Sequence, residues 1–426
     1  MPRQTSRRRF LQLISTSAVA GPLIISGHAQ GAPGPNERIQ VGFIGVGAMG
    51  RGHLSRLLGE KDVQVLAVCD VVTERRESAR KMVEDRYAAD KDKPSYKGCQ
   101  IYNDFRELLQ RSDIDAVVIA TPDHWHAIPC VMAANAKKDI YCEKPLTHSI
   151  AEGRKIVEAV SRNNVVFQTG SQQRSEFGNR FRLAVELVRS GRIGKLDTIR
   201  IGVGGPPRPC DLPEQPIPEG TDWDLWLGPA AKRPYNEALC PKGVHQHFPA
   251  WRSYREFGGG GLADMGAHHF DIAQWALDMD RSGPIKIEPP ARGDTDLKFI
   301  YASGVVMRHG GPADCVFEGN KGTIHVSRGK IESLPGNIVK EPIGEKDFHV
   351  YPSSDHMRNW LDCIRSRKET ICPAETGHRS ATICHLANLA YELRRDLKWD
   401  PEKEQFVGDT EANTRLDSVK RAPWNL

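Results

Sequence analysis

Between residues 39 and 170, short apolar runs alternate with longer stretches in which apolar residues recur with helical spacing. Unbroken apolar runs suit strands covered on both faces, and the intervening periodicity suits the helices that cover them. The pattern predicts strands at 39–44, 63–69, 116–120, 140–142 and 165–169. It predicts a helix at 150–162, where Ser149 and Glu152 have the spacing of a capping box and Ile156, Val157 and Val160 share a face. Alternation of this kind is the signature of a doubly wound parallel sheet.

Beyond residue 170 the pattern changes. A helix is expected at 180–189 and a strand at 196–203, followed by a proline-rich stretch at 204–218 that can hold neither. Alternating segments between 285 and 332, such as 323–326, suggest a mostly antiparallel sheet with one covered face. Amphipathic helices are expected at 355–365 and 379–395, and the last thirty residues are polar with little periodicity. The predicted class is α/β, a Rossmann-type parallel sheet followed by an α+β domain. Its divisions are 1–30 (a leader), 36–170 (nucleotide binding), 171–352 (substrate and oligomerisation), 353–396 (helices packing back on the core) and 397–426 (a tail).

Composition sharpens this picture at the amino terminus. Arg7, Arg8 and Arg9 precede an apolar or small stretch at 13–25 and then Gly27-His28-Ala29, an arrangement that resembles a twin-arginine export signal. A periplasmic or secreted protein is therefore expected. The apolar stretch is too short to span a bilayer, and no later stretch is longer, so stable membrane insertion is not expected. Four of the arginines behind the formal charge of +5 lie in this leader, which leaves the rest of the 426-residue chain close to neutral. Nucleic-acid binding needs a concentrated basic face, and none is present. The ten cysteines contain no C-x-x-C pair, so neither a zinc pattern nor a disulfide framework is evident. Cys363, Cys372 and Cys384 are the closest set, and their pairing is open.

The first strand runs directly into Gly45-Val-Gly47-Ala-Met49-Gly50. In such a turn the first glycine permits a tight bend, the second lets a pyrophosphate approach the backbone, and the third allows close helix packing at a positive helix terminus. Asp70 ends the second strand twenty residues later, where a carboxylate can accept from ribose hydroxyls. Asp70 would repel a 2′-phosphate, so NAD is favoured, while Arg75 and Arg76 leave NADP possible.

Further polar clusters follow later strands: Thr121-Pro122-Asp123-His124-Trp125-His126, and Glu143-Lys144-Pro145. Ligands of open α/β sheets bind at that edge. A third cluster follows the glycine run 258–261 and places Asp264, His268 and Asp271 at helical spacing. A zinc site there lacks a third ligand at familiar spacing. Together these clusters resemble the glucose-fructose oxidoreductase, inositol dehydrogenase and rhizopine-catabolism (Gfo/Idh/MocA) family, from about Ile39 to Trp275 and more loosely beyond. The resemblance implies that Lys144, Asp264 and His268 are catalytic. It also implies cofactor contacts at Gly45, Gly47, Met49, Gly50, Asp70, Thr121, Pro122, His126, Glu143 and Lys144, and self-association through the face of the second sheet. His269 falls outside the family pattern.

The expected chemistry is hydride transfer between the nicotinamide and a hydroxyl-bearing carbon of a sugar, polyol or glycoside. His268 would take the hydroxyl proton, Lys144 would hydrogen-bond the reacting oxygen, and Asp264 would orient the base. Aromatic residues beside hydrogen-bonding groups suit a carbohydrate. Gln172, Arg174, Trp226, Tyr235, His245, Trp251, Tyr254 and His268 form the candidate substrate set. Two alternatives stand beside this reading. One is a redox-neutral NAD-dependent glycosidase, with Tyr235 or Tyr254 as its base. The other is a noncatalytic protein that keeps NAD as a structural element.

Overall fold

The computed structural model describes residues 38–89, 98–311 and 314–426, so the twin-arginine segment lies outside the described residues. Six strands form the first sheet: β1 (Ile39–Ile44), β2 (Val63–Cys69), β3 (Gln100–Tyr102), β4 (Ala116–Ile119), β5 (Asp139–Cys142) and β6 (Phe167–Thr169). All pairs are parallel, in the order β3-β2-β1-β4-β5-β6. Helices α1 (Ala48–Leu57), α2 (Thr73–Ala88), α3 (Phe105–Leu109), α4 (Ala127–Asn135) and α5 (Ile150–Asn163) accompany it. Every residue of β4 and β5 is buried, as a sheet covered on both faces requires. The expected capping box starts α5: Ser149 accepts from the Glu152 N–H, and the Glu152 side chain accepts from the Ser149 N–H.

The second sheet has nine strands. They are β7 (Leu196–Gly202), β8 (Lys286–Glu288), β9 (Leu297–Ile300), β10 (Val306–His309), β11 (Asp314–Gly319), β12 (Gly322–Val326), β13 (Ile331–Leu334), β14 (Leu397–Asp400) and β15 (Gln405–Phe406). Their order is β13-β12-β11-β7-β10-β9-β8-β14-β15, and only β7 and β10 pair in parallel. Buried and part-exposed residues alternate along β9, β10 and β11, so one face is covered. Its cover is α6 (Arg180–Arg189), α9 (Gly266–Ala276) and α11 (Ala374–Leu393), with Phe181, Phe270 and Leu386 in one core with Ile199, Phe299 and Phe317. Two short helices, α7 (Trp223–Leu227) and α8 (Gly260–Asp264), lie in the long connection between β7 and β8.

Helix α10 (His356–Ser366) returns to the first sheet, where Met357, Trp360 and Leu361 join the core around Val41 and Phe43. The tail is more structured than its sequence suggested: β14 and β15 extend the second sheet, α12 (Thr410–Asn413) follows, and Trp424 packs edge-on to Trp125 at 4.8 Å. Strands of four and two residues are too short to display a period. All ten cysteines are free thiols. No helix among the described residues is long and apolar enough to cross a membrane.

Candidate active site

Strand order reverses between β1 and β4, and a crevice of about 510 Å³ opens at their carboxyl ends. One wall is the turn after β1. Gly45 has φ +85°, and a Cβ there would lie 2.7 Å from the Ala120 carbonyl oxygen. At Gly50 a Cβ would lie 2.1 Å from the Gly45 carbonyl oxygen, so this glycine sets how closely α1 packs. Gly47 differs: nothing lies within 4 Å of its missing Cβ, which leaves open space at the N-terminus of α1. Asp70 lines the crevice and braces the turn by accepting from the Val46 N–H at 3.0 Å and the Val72 N–H at 2.9 Å. A carboxylate has about four acceptor positions, so room remains for ribose hydroxyls. The buried Thr121 Oγ1 has no partner among the described residues, and Thr121, Pro122 and Met49 also line this wall. An open cradle, a carboxylate with acceptor capacity and an orphaned hydroxyl fit a dinucleotide.

Both arginines that could offset Asp70 are engaged elsewhere. Arg75 donates to the carbonyls of Gly243 and Pro241, and Arg76 to the Asp70 carbonyl, Asn103 and Thr73. This geometry supports NAD over its 2′-phosphate.

Glu143 and Lys144 follow β5 directly. Glu143 lines the crevice, bonds His53 at 2.7 Å and accepts from Gln172 at 2.9 Å. Lys144 reaches across to Asp264, donating to its carbonyl at 2.7 Å and its carboxylate at 2.9 Å. Burial pushes the Asp264 carboxyl upward, but the Lys144 charge and hydrogen bond and the Arg252 charge outweigh it and hold the group below its ordinary value. Asp264 ends α8, Met265 interrupts the helix, and His268 lies in the first turns of α9. His268 is 4% exposed and lines the crevice. Neither ring nitrogen has a hydrogen-bond partner among the described residues, and Nδ1 is buried. Burial first, then the charges of Lys144 and Arg328, hold the imidazole well below its ordinary pKa. It is a neutral group in a cationic surrounding.

Several placements differ from the sequence-based expectation. Asp264 holds Lys144, so it does not orient His268. Asp271 does not share the crevice face; it is fully buried and paired with Arg174 at 2.8 Å. Arg174 is 1% exposed and bound to Asp271 and Asp280, a structural ion pair where a substrate contact was expected. Gln172, Trp226, His245 and Trp251 do line the crevice. Tyr235 and Tyr254 do not: they are buried, with the Tyr235 hydroxyl donating to the Cys240 carbonyl and the Tyr254 hydroxyl accepting from Arg208. His126 is also inside, its ring nitrogens 2.9 Å from the Thr121 carbonyl oxygen and 2.8 Å from that of Pro145, so it packs between the β4 end and the Glu143-Lys144 corner and does not line the crevice.

Sequence reasoning missed His53, Asp123, Arg252 and Arg328, all of which line the crevice. Asp123 lay in a cluster already singled out. Burial drives its carboxyl up to about 8, although the Arg252 and Lys144 charges hold it back. Arg252 stacks on Trp251 at 4.1 Å and lies 3.6 Å from Asp264. Arg328 comes from the turn between β12 and β13, and no local motif marks it.

Two family models match the chain: an oxidoreductase-family NAD-binding Rossmann fold over residues 39–171 and an oxidoreductase-family C-terminal alpha/beta domain over residues 209–426. The chain is 33% identical over 159 residues to an inositol 2-dehydrogenase of Salmonella paratyphi B, covering 37% of this chain and 43% of that one. It is 30% identical over 164 residues to an alpha-N-acetylgalactosaminidase of Shewanella oneidensis, covering 38% and 34%. The aligned part thus spans less than half the length of these curated relatives. Among solved structures, the WlbA dehydrogenase of Bordetella pertussis in complex with NADH and UDP-GlcNAcA superposes with a TM-score of 0.59 at 16% identity, over 85% of this chain and 99% of that one. At that identity the likeness is one of fold.

Proposed function

Because the chain belongs to the Gfo/Idh/MocA oxidoreductase family, we propose that it is an NAD-dependent enzyme acting on a hydroxyl-bearing carbon of a sugar, polyol or glycoside. Bound NAD would supply the hydride acceptor, held by the turn of Gly45, Gly47 and Gly50 with Asp70 on the ribose. Lys144, fixed by Asp264, hydrogen-bonds the substrate oxygen and stabilises the negative charge that develops there. His268 accepts the hydroxyl proton, a role that its neutral, unpartnered ring suits. The carrying observation is the 2.9 Å contact of Lys144 with Asp264, in the crevice that the glycine turn and His268 also line.

Export through the twin-arginine segment and self-association through the uncovered face of the second sheet belong to the same reading. A redox-neutral glycosidase reading is favoured by the relatives named for glycoside hydrolysis. Burial of Tyr235 and Tyr254 removes both candidate bases from the crevice, so oxidoreduction ranks first.

The test is to record nicotinamide absorbance and aglycone release while the purified protein meets inositols, hexoses and aryl glycosides. Lys144→Ala should lower kcat about 10²- to 10³-fold, the scale for loss of one donor to a developing oxyanion, and leave NAD bound. Undiminished turnover rejects the assignment. Aglycone release without net NADH would move the balance to the glycosidase.

A further inference from the structure

Arg328 sits at the tip of the β12–β13 hairpin and lines the same crevice as the glycine turn. Its turn is closed by the Ser327 N–H, which donates to the Lys330 carbonyl at 2.8 Å. The backbone position is therefore set by a sheet ladder. The guanidinium is held in two ways: Nε donates to Gln173 Oε1 at 3.1 Å, and the ring of Phe177 lies beneath it at 4.8 Å. Gln173 is buried, and its amide nitrogen donates to the His268 carbonyl at 3.3 Å. One side chain thus links the arginine to the helix that carries His268.

The terminal nitrogens of Arg328 make no hydrogen bond or ion pair among the described residues. Asp264, Glu176 and Asp314 attract its charge, yet none closes to ion-pair distance. Asp264, the strongest of these attractions, already serves two cations, Lys144 at 2.9 Å and Arg252 at 3.6 Å. The crevice therefore holds a planar, fixed, always-charged fork whose two outer nitrogens point to no protein acceptor. A neutral polyol gives such a fork ordinary hydrogen bonds, whereas a carboxylate matches it with two parallel charge-assisted ones.

We propose that Arg328, with Arg252 as a second cation in the crevice, selects a substrate that carries a carboxylate, an acidic sugar such as a hexuronate. The inference rests on the oxidoreductase reading and narrows its substrate class.

The experiment titrates NAD-saturated full-length protein calorimetrically with glucuronate, glucose and glucose 6-phosphate at low salt. Glucuronate should bind about tenfold more tightly than glucose, the lower end of the range for a hydrogen bond to a charged group because Arg328 is open to solvent in the crevice. Arg328→Gln should abolish that preference with NAD affinity unchanged, and Arg328→Lys should keep part of it, which also covers a glutamine variant that folds poorly. Equal affinities, or a preference that survives in Arg328→Gln, overturn the proposal. Glucose 6-phosphate binding more tightly than glucuronate through Arg328 overturns the carboxylate assignment in favour of a phosphate. Reduction of NAD by glucuronate and by glucose with equal kcat/KM, in the wild type and in Arg328→Gln alike, would remove this inference and leave the oxidoreductase reading standing. Protein that binds no NAD and reduces none would remove that reading itself.

Discussion

The two walls of the crevice are made of different material. The cofactor wall is backbone: Gly45, Gly47 and Gly50 in one turn, braced by Asp70 at the end of the neighbouring strand. The wall proposed for substrate is side chain: Trp226 from α7, Trp251 and Arg252 from the long connection, Asp264 and His268 from two helices, and Arg328 from a hairpin. A wall that binds through backbone must place glycines at fixed intervals, since only they permit the close approach, and so its sequence is patterned. A wall that binds through side chains can draw them from anywhere the fold brings together. Loops on a rigid scaffold are where such recognition resides.

The comparison is tested most severely at the joint between the walls. Arg174 follows β6 of the first sheet, and it bonds Asp271 on α9, the helix of His268. Ser380 adds a hydrogen bond to the same carboxylate at 2.7 Å, and Trp275 stacks on the guanidinium at 4.8 Å. Arg174→Ala strands a buried carboxylate, and its expected cost is about 3–5 kcal/mol of stability. Urea denaturation measures it. NAD affinity of the folded fraction should be unchanged, because the glycine turn lies outside the network. A loss below about 1 kcal/mol would mean that the walls are held together by something else.

Gly45→Ala addresses the cofactor wall alone. Strain at φ +85° costs on the order of 1–3 kcal/mol, and the added carbon must also push back the Ala120 carbonyl. Weaker NAD binding, by at least about tenfold, is expected, with sugar-dependent tryptophan fluorescence from Trp226 and Trp251 retained. Equal loss on both walls would show that the turn organises the whole crevice.

The same division explains what could be read in advance. The five expected strands of the first sheet lie within two residues of their observed bounds, and the Ser149 cap is present, because unbroken apolar runs and caps are local signals. Gly45, Gly47 and Asp70 were legible for the same reason. Arg174, Tyr235 and Tyr254 were chosen by chemical type, and type does not tell a core hydrogen bond from a crevice contact. Arg328 had no signal, since its role depends on Gln173 and Phe177, some 150 residues away. Likewise, Asp264 and His268 share helical spacing, but the partner of Asp264 is Lys144, 120 residues distant.

The smallest expected effect carries the finest distinction, because it asks whether the substrate wall's charges reach the base. In the proposed mechanism neutral His268 is the competent form, and a lowered pKa keeps it neutral as pH falls through its ordinary value of about 6.5. The acid limb of kcat/KM, which reports the free enzyme, should therefore lie below that value. Burial is the largest cause and the nearby positive charges come next. Arg328→Gln removes one of those charges and leaves the burial, so the limb should move upward, toward the ordinary value, by less than about one unit. Measured with a neutral polyol, the shift separates an electrostatic link to His268 from any effect on substrate charge. A limb that stays in place would confine Arg328 to substrate recognition and return the whole depression of the imidazole to burial and Lys144.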